Sequence, residues 1–369
     1  MKADLSAHVI TEVRTLRIRT RWPRLLGRNA LYAEHGYGYE AMVHRLATDG
    51  GAVGWGLARG PAPKDAPDVT GRRVSDLFDP AVGVTDPSAH SLDFALHDLA
   101  GVILGIPVHR MIGQAGLTEL EVYGSATYFD DITPAYAPGG VEVVLANCRY
   151  DYGLGYRAFK IKIGRGHRWM ERQAGMVRDI EVTRAIRQEF PDCMLQVDAN
   201  DGYDAEGFCE YFRQVADCGL FTLEEPFREE RDGLKRLREL IGTLSPETTV
   251  TDGESRPDIE QLLALGAEGL LDILNVDIAG YGLTPYRALA PRALEREMRL
   301  SPHTFGLGIK TRYVAQFVAG TGGAAPLEGV IDETEGVDMS AYPFHEGVMR
   351  VPDTPGFGLR LIWGRELGH

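Results

Sequence analysis

The chain has 369 residues, 44% hydrophobic and 25% charged, with a formal net charge of −14 at neutral pH. That length allows two domains or one barrel with an appendage, and either buries a sizeable core. The acidic balance argues against nucleic acid or an anionic membrane as partner, and leaves any anionic substrate to a local cation.

The first twenty residues mix Lys2, Asp4, Glu12 and several arginines with apolar side chains. They lack the apolar core of about 7–15 residues that a signal peptide needs. No stretch reaches the roughly 18 apolar residues of a membrane span. Cys148, Cys193, Cys209 and Cys218 show neither a CxxC pair nor zinc spacing, and read as buried thiols of a cytoplasmic protein.

Residues 1–118 predict an α+β domain. His8 to Arg19, with Val9, Val13, Leu16 and Ile18 among polar residues, suits a strand with one wet face. Trp22 to Gly38 has no periodicity and reads as a loop. Tyr37 to Ala47 and Ala52 to Ala58 read as further strands, the second interrupted by Gly54 and Gly56. The pair Gly36-x-Gly38 lacks the strand–glycine–helix context of a dinucleotide site. Gly60 to Thr70 is loop. Asp86 to Gly105 predicts a helix, with Leu92, Ala95, Leu96 and Leu99 on one face.

From Leu120 a different rhythm begins. Glu121-Val122-Tyr123 reads as a first strand. Apolar segments then recur with charged residues at their ends: Lys160 and Lys162, Asp198, Glu224, Glu254, Asp277 and His303. Counted from Lys162, these lie 36, 26, 30, 23 and 26 positions apart. A parallel strand with its crossover helix takes roughly 30 residues. The spacing predicts consecutive βα units with polar residues at the strands' C-terminal ends, where (β/α) barrels keep their chemistry. Phe208, Tyr211, Phe212 and Val215 mark one amphipathic crossover helix. Ile259, Leu262 and Leu263 mark another, with Pro257 near its start and Gly266 just past its end. Pro326 to Val330 is an eighth strand. After about Asp338 the rhythm stops, and Pro352 to Trp363 is a Gly/Pro-rich tail expected to pack on the N-terminal domain.

Strand alternation puts Lys160 and Lys162 on one side. Two such close ammonium groups should lower a lysine pKa and make one a usable base. Asp198, Glu224 and Glu254 would repel one another unless a cation lay between them, and an all-oxygen set suits Mg²⁺ rather than zinc. Glu224 and Glu225 must point to opposite sides. Asp277 beside His303 would fix the imidazole tautomer and raise its basicity.

The ordered set Lys160-x-Lys162, Asp198-x-Asn200, Glu224-Glu225-Pro226, Gly253-Glu254, Asp277 and His303 resembles the enolase superfamily, and within it the mandelate racemase-like subgroup. Ser91 to Leu99 resembles the family's cap helix, with His97 where Trp is usual. Pro352 to Gly358 resembles its C-terminal return. The resemblance implies a modified TIM barrel, (β/α)7β, in residues 119–337. It also implies an α+β capping domain in 1–118, with specificity loops at about 22–38 and 50–58, and a return onto the cap in 338–369.

It further implies that Asp198, Glu224 and Glu254 bind Mg²⁺. Lys162 would be the base on one face, with Lys160 beside the substrate carboxylate, and His303 with Asp277 would act on the other face. Asn200 and Glu328 join the substrate-binding set, Asp332 and Glu333 competing with Glu328 for its place. The expected chemistry is removal of a proton α to a carboxylate through an enediolate, as in dehydration of an acid sugar to a 2-keto-3-deoxy acid. Racemisation, epimerisation or lactone cycloisomerisation is the alternative. A barrel that only binds a ligand should have lost a base or a metal ligand, and a zinc hydrolase would need clustered histidines. The resemblance also implies a homo-oligomer.

Overall fold

The computed structural model of the protein describes residues 4–59, 66–136 and 139–362. β1 (Ile10–Leu26), β2 (Gly36–Thr48) and β3 (Val53–Leu57) form an antiparallel meander. Ile18, Thr20 and Trp22 are buried in turn while Arg17, Arg19 and Arg21 face solvent. Trp22 thus takes the next inward position, and the loop expected from Trp22 to Gly38 shrinks to the residues between Leu26 and Gly36. Pairing with β2 lapses between Arg21 and Leu26, around Pro23, which has no N–H to donate.

A 3₁₀ turn, Pro87–Leu92, leads into α1 (Asp93–Leu104), so the helix expected from Asp86 opens more tightly. α1 ends at Gly105, whose φ of +69° is a left-handed cap. It is buried along nearly its whole length against β3. The interrupting glycines explain how: a Cβ on Gly54 would lie 2.4 Å from the Leu99 backbone, and one on Gly56 2.5 Å from Phe94. Within the stretch 50–58 expected over the mouth of the barrel, β3 is therefore occupied in holding α1. Of the expected loop 60–70, residues 60–65 lie outside the described residues. A short α2 (Val108–Ile112) follows.

Eight parallel strands then form the barrel: β4 (Glu119–Thr127), β5 (Ala158–Lys162), β6 (Met194–Asp198), β7 (Leu220–Glu224), β8 (Thr249–Asp252), β9 (Ile273–Leu274), β10 (Arg299–Leu300) and β11 (Leu327–Gly329). β11 pairs with β4, and a Leu300–Ala324 bridge joins β10 to the segment entering β11, closing the ring. The crossovers are α3 (Val141–Gly153), α4 (Arg172–Glu189), α5 (Ala205–Val215), α6 (Arg231–Leu244) and α7 (Ile259–Ala267), then α8 (Ile278–Tyr281) with α9 (Leu283–Leu294), and α10 (Gly308–Thr321). This is a modified TIM barrel, (β/α)7β, under an α+β cap.

α5 buries Phe208, Tyr211, Phe212 and Val215 as its stripe requires. α7 runs through Gly266, which sits inside the last turn, where a Cβ would collide with Met298 at 2.3 Å. Close packing, not helix termination, explains that glycine.

The segment after the barrel knits the molecule together. Glu333–Thr334 adds to β1, Val348–Arg350 pairs with the start of β4, and Asp98 of α1 accepts from Phe357 N (2.8 Å) and Trp55 N (2.9 Å). Asp93 of α1 accepts from Thr284 N (3.0 Å) and Oγ1 (2.6 Å) on α9. The four cysteines are buried free thiols. No helix among the described residues is long and apolar enough to cross a membrane.

Candidate active site

β5 is buried at every position, and its alternation points Lys160 and Lys162 into the barrel. Lys160 Nζ lies 3.0 Å from Glu224 Oε1, 3.2 Å from Glu328 Oε1 and 3.4 Å from Asp198 Oδ2. Lys162 Nζ donates to Asp198 Oδ2, and to Asn200 Oδ1 at 3.0 Å. The expectation of a lowered lysine pKa left out the carboxylates that face the pair. Burial does lower both, yet the facing carboxylates outweigh it: Glu224 and Glu328 push Lys160 well up, and Asp198 raises Lys162.

Asp198 and Glu224 close their strands, whereas Glu254, Asp277 and His303 stand two or three residues beyond theirs, in the loops of the barrel mouth. Asn200 and Glu225 sit at φ +45° and +41°, left-handed backbone just past the ends of β6 and β7. Glu225 takes different partners from Glu224. Its Oε1 accepts from Ser255 N (2.8 Å) and its Oε2 from Asn200 Nδ2 (3.2 Å). Glu224 Oε1 instead accepts from Asn275 Nδ2 (3.1 Å) as well as Lys160.

His303 Nδ1 lies 3.1 Å from Asp277 Oδ2, and Nε2 lies 3.3 Å from Glu254 Oε2 and 3.6 Å from Glu328 Oε2. Burial lowers the imidazole pKa, but Glu254, Glu328 and Asp277 together raise it to about 9. Asp277 caps α8 by accepting from Gly280 N (2.6 Å) and meets Lys310 Nζ at 3.1 Å. Lys310 and His303 hold its pKa well below the usual range against the effect of burial.

Of the three acids open to one role, Glu328 lies on β11 inside the barrel, with Oε2 accepting from Thr304 N at 2.7 Å. Asp332 caps the start of α10 through Gly308 N (3.0 Å), and Glu333 is exposed beside β1.

A cavity of about 690 Å³ opens over this cluster, lined by Lys162, Glu254, His303, Glu328, Tyr128 and Phe305 from the barrel and by Asn29–His35 with Tyr39 from the cap. The sequence reading missed Lys310, Asn275 and His35. Asn275 was legible in principle, two residues before Asp277 and so on the same side of an extended segment. His35 lies in aperiodic sequence and Lys310 on a crossover helix, where no strand rule applies.

Asp198, Glu224 and Glu254 offer oxygens within 4.8 Å of one another, and among the described residues the buried Glu254 Oε2 accepts no hydrogen bond, meeting only the His303 ring at 3.3 Å. The local charge is also unbalanced. Five carboxylates (Asp198, Glu224, Glu254, Asp277 and Glu328) face four cationic groups, Lys160, Lys162, Lys310 and the His303 imidazole, which leaves a net negative charge. An all-oxygen set with that deficit fits a hard divalent cation.

Comparison with known proteins agrees with this geometry. The sequence matches the family described as Enolase C-terminal domain-like over residues 144–364. It is 25% identical to a D-galactarolactone cycloisomerase of Agrobacterium fabrum, covering 87% of this chain and 88% of that one. Galacturonate dehydratase from Geobacillus sp., solved with D-galacturonate and 5-keto-4-deoxy-D-galacturonate, superposes with a TM-score of 0.89 at 28% identity, covering 96% and 95% of the two chains. A mandelate racemase/muconate lactonizing protein from Geobacillus sp. Y412MC10, solved with magnesium and tartrate, gives 0.90 at 28% identity over 98% and 94%. The chain belongs to the Enolase C-terminal domain-like family of the enolase superfamily.

Proposed function

We propose that the protein is a Mg²⁺-dependent enzyme that removes the proton α to the carboxylate of a small hydroxy acid, and that it dehydrates an acid sugar to a 2-keto-3-deoxy acid. The observation that carries this is the joining, at a single cavity, of Lys162, His303 and Glu254, the last of which belongs to the three-carboxylate cluster with Asp198 and Glu224. Asp198, Glu224 and Glu254 would hold the cation, whose positive charge stabilises negative charge developing on the substrate carboxylate.

The chain's own residues do the rest. Lys160, charged and buried, donates to a carboxylate oxygen and stabilises the enediolate as it forms. Glu328 is positioned by Thr304 to face the same group, and Asn200 holds Lys162. Lys162 and His303 approach from β5 and from the loop after β10, strands separated in the ring by β4 and β11. With part of the charge on Asp198 and Glu254 taken by the cation, both groups would give up their own protons more readily, and one of them takes the α-proton. In dehydration, His303 protonates the departing β-hydroxyl, because expelling hydroxide unprotonated is difficult. Asp277 holds the His303 tautomer.

The likeness to a cycloisomerase along most of the chain supports the second reading, in which the same enediolate is reprotonated or rearranged. A small-molecule carboxylate is the partner in either case, and the homo-oligomer implied by the resemblance is checked by sedimentation velocity. A reducing, cytoplasmic setting suits four buried thiols.

The test is a panel of sugar acids incubated with Mg²⁺ in D₂O. The expected outcome is a keto acid trapped by semicarbazide and carrying deuterium at C3, where the enol left by loss of the β-hydroxyl takes up its proton. Optical-rotation change or lactone isomerisation without keto acid would replace dehydration by the second reading. Absence of keto acid, of α-exchange and of isomerisation across the panel would overturn both.

A further inference from the structure

The roof of the cavity is built by a cap segment that the mechanism does not use. Residues 29–35 are fixed at both ends and in the middle. Asn29 Oδ1 accepts from Leu31 N (3.0 Å) and Tyr32 N (2.7 Å), Arg28 pairs with Glu34 (2.9 Å), and His35 N donates to Leu26 O (2.9 Å). The loop following Lys162 grips it from below: Trp169 Nε1 donates to Asn29 O (2.7 Å) and Arg168 Nη1 to Leu31 O (2.8 Å).

That anchoring delivers one side chain to a defined place. The His35 ring is wedged between Phe305 and Tyr128, with centroids 4.9 and 5.2 Å away, and Phe305 in turn stacks on His303 at 6.5 Å and 17°. His35 Nε2 is buried and, among the described residues, has no hydrogen-bond partner, on a residue that lines the cavity with Lys162 and His303. Leaving such a nitrogen unpaired is costly, and a ligand atom would satisfy it. Burial first, then the charge of Lys162, hold the imidazole pKa down to about 4. The ring is neutral, with one donor and one acceptor nitrogen, which matches a hydroxyl, itself both donor and acceptor.

We infer that His35 determines specificity: its Nε2 hydrogen-bonds a hydroxyl on the part of the substrate beyond the reacting carbon, favouring polyhydroxylated acids over short ones. The inference rests on the hydroxy-acid reading above and deepens it. The apolar faces of Tyr128 and Phe305 would pack the carbon chain, while the ring reads its hydroxyl. A site that hydrogen-bonds a substrate hydroxyl discriminates strongly against an analogue lacking it.

The experiment compares a panel of sugar acids, each hydroxylated along its carbon chain, with glycolate, which carries the α-hydroxyl and nothing beyond. Affinities are measured by calorimetry on the full chain with Mg²⁺, for the wild type, His35→Phe and His35→Gln. The wild type should prefer at least one sugar acid to glycolate. His35→Phe should weaken that sugar acid roughly 10–100-fold, with glycolate changed by less than about twofold, and His35→Gln should recover part of the loss. Equal weakening of both ligand classes would overturn the inference, as would an unchanged sugar acid. A wild type that binds no sugar acid more tightly than glycolate would overturn it too. The D₂O assay separates the two readings: keto acid, exchange or isomerisation retained without His35 selectivity defeats only the subsite. Selective binding without any of them defeats only the activity.

Discussion

Glu224 and Glu225 are neighbours in sequence with different tasks, because the left-handed turn at Glu225 sends the second side chain to Asn200 and Ser255. Burial raises the Glu224 pKa to about 7, opposed by the Lys160 charge, whereas the two lysines hold Asp198 low despite its burial. Glu224→Gln should therefore weaken Mg²⁺ binding by more than the roughly 10–100-fold that outer-shell partners contribute, and Glu225→Gln by less. Calorimetric Mg²⁺ titration decides it, and equal losses would reverse the inward assignment. A second residue-scale prediction concerns the dyad. Asp277→Asn should leave Mg²⁺ affinity intact and cut turnover by roughly 10²–10⁴, the range general acid–base catalysis supplies. A parallel fall in metal affinity would make Asp277 part of the metal site instead.

At the scale of elements, β5 owes its placement to a charge buried just beyond it. Arg165 is fully buried, with Nη2 2.6 Å from Asp131 Oδ1, Nη1 2.6 Å from Asp179 Oδ1, and its guanidinium over the Phe129 ring at 4.4 Å. Its Nη1 also reaches Lys162 O at 3.3 Å, so it braces the strand end that presents Lys162. Asp179 further accepts from Gly164 N and Tyr203 Oη, tying α4 and the loop after β6 to the same point. Removing the cation leaves two buried carboxylates without their main partner. Arg165→Met should lose roughly 3–5 kcal/mol of stability by urea unfolding and lower turnover with it. A loss under about 1 kcal/mol would show that the carboxylates find another partner or a proton.

For the molecule as a whole, cap and barrel meet through Asp93 with Thr284 and the cap loop over the cavity, while Asp98 with Phe357 ties the cap to the segment after the barrel. The cap carries two histidines held neutral, His35 and His44, each with its pKa lowered to about 4 by burial. His44 is fully buried between β1 and β3, with Nδ1 3.0 Å from Thr15 Oγ1 and Nε2 unpaired. Between about pH 6.5 and 4 the unfolded chain takes up a proton at His44 that the folded chain refuses, so this site's contribution falls as pH falls. His44→Leu should flatten that slope, leaving the variant roughly 1–3 kcal/mol better off at pH 4.5 than at pH 7 relative to wild type. Unfolding curves at the two pH values check it. An unchanged difference would mean that His44 titrates normally in the fold.

The sequence by itself determined the barrel and which charged residues gather at its rim, because strand alternation and the βα repeat are local rules. A Lys-x-Lys on one buried strand must share a side, and charged residues spaced by one βα unit must gather at one rim. Those rules placed Lys160, Lys162, Asp198 and Glu224 where the fold has them. They did not reach what depends on contacts between distant segments. The lysines' charge states are set by carboxylates brought over from β6, β7 and β11. Gly54 and Gly56 look like strand breakers until α1 lies against them, and Trp22 looks like loop until its inward face is covered. His35 and Lys310 carry no local pattern at all. Their places at the site exist only because the cap closes over the barrel and α10 packs beside α8, which no single stretch of chain encodes.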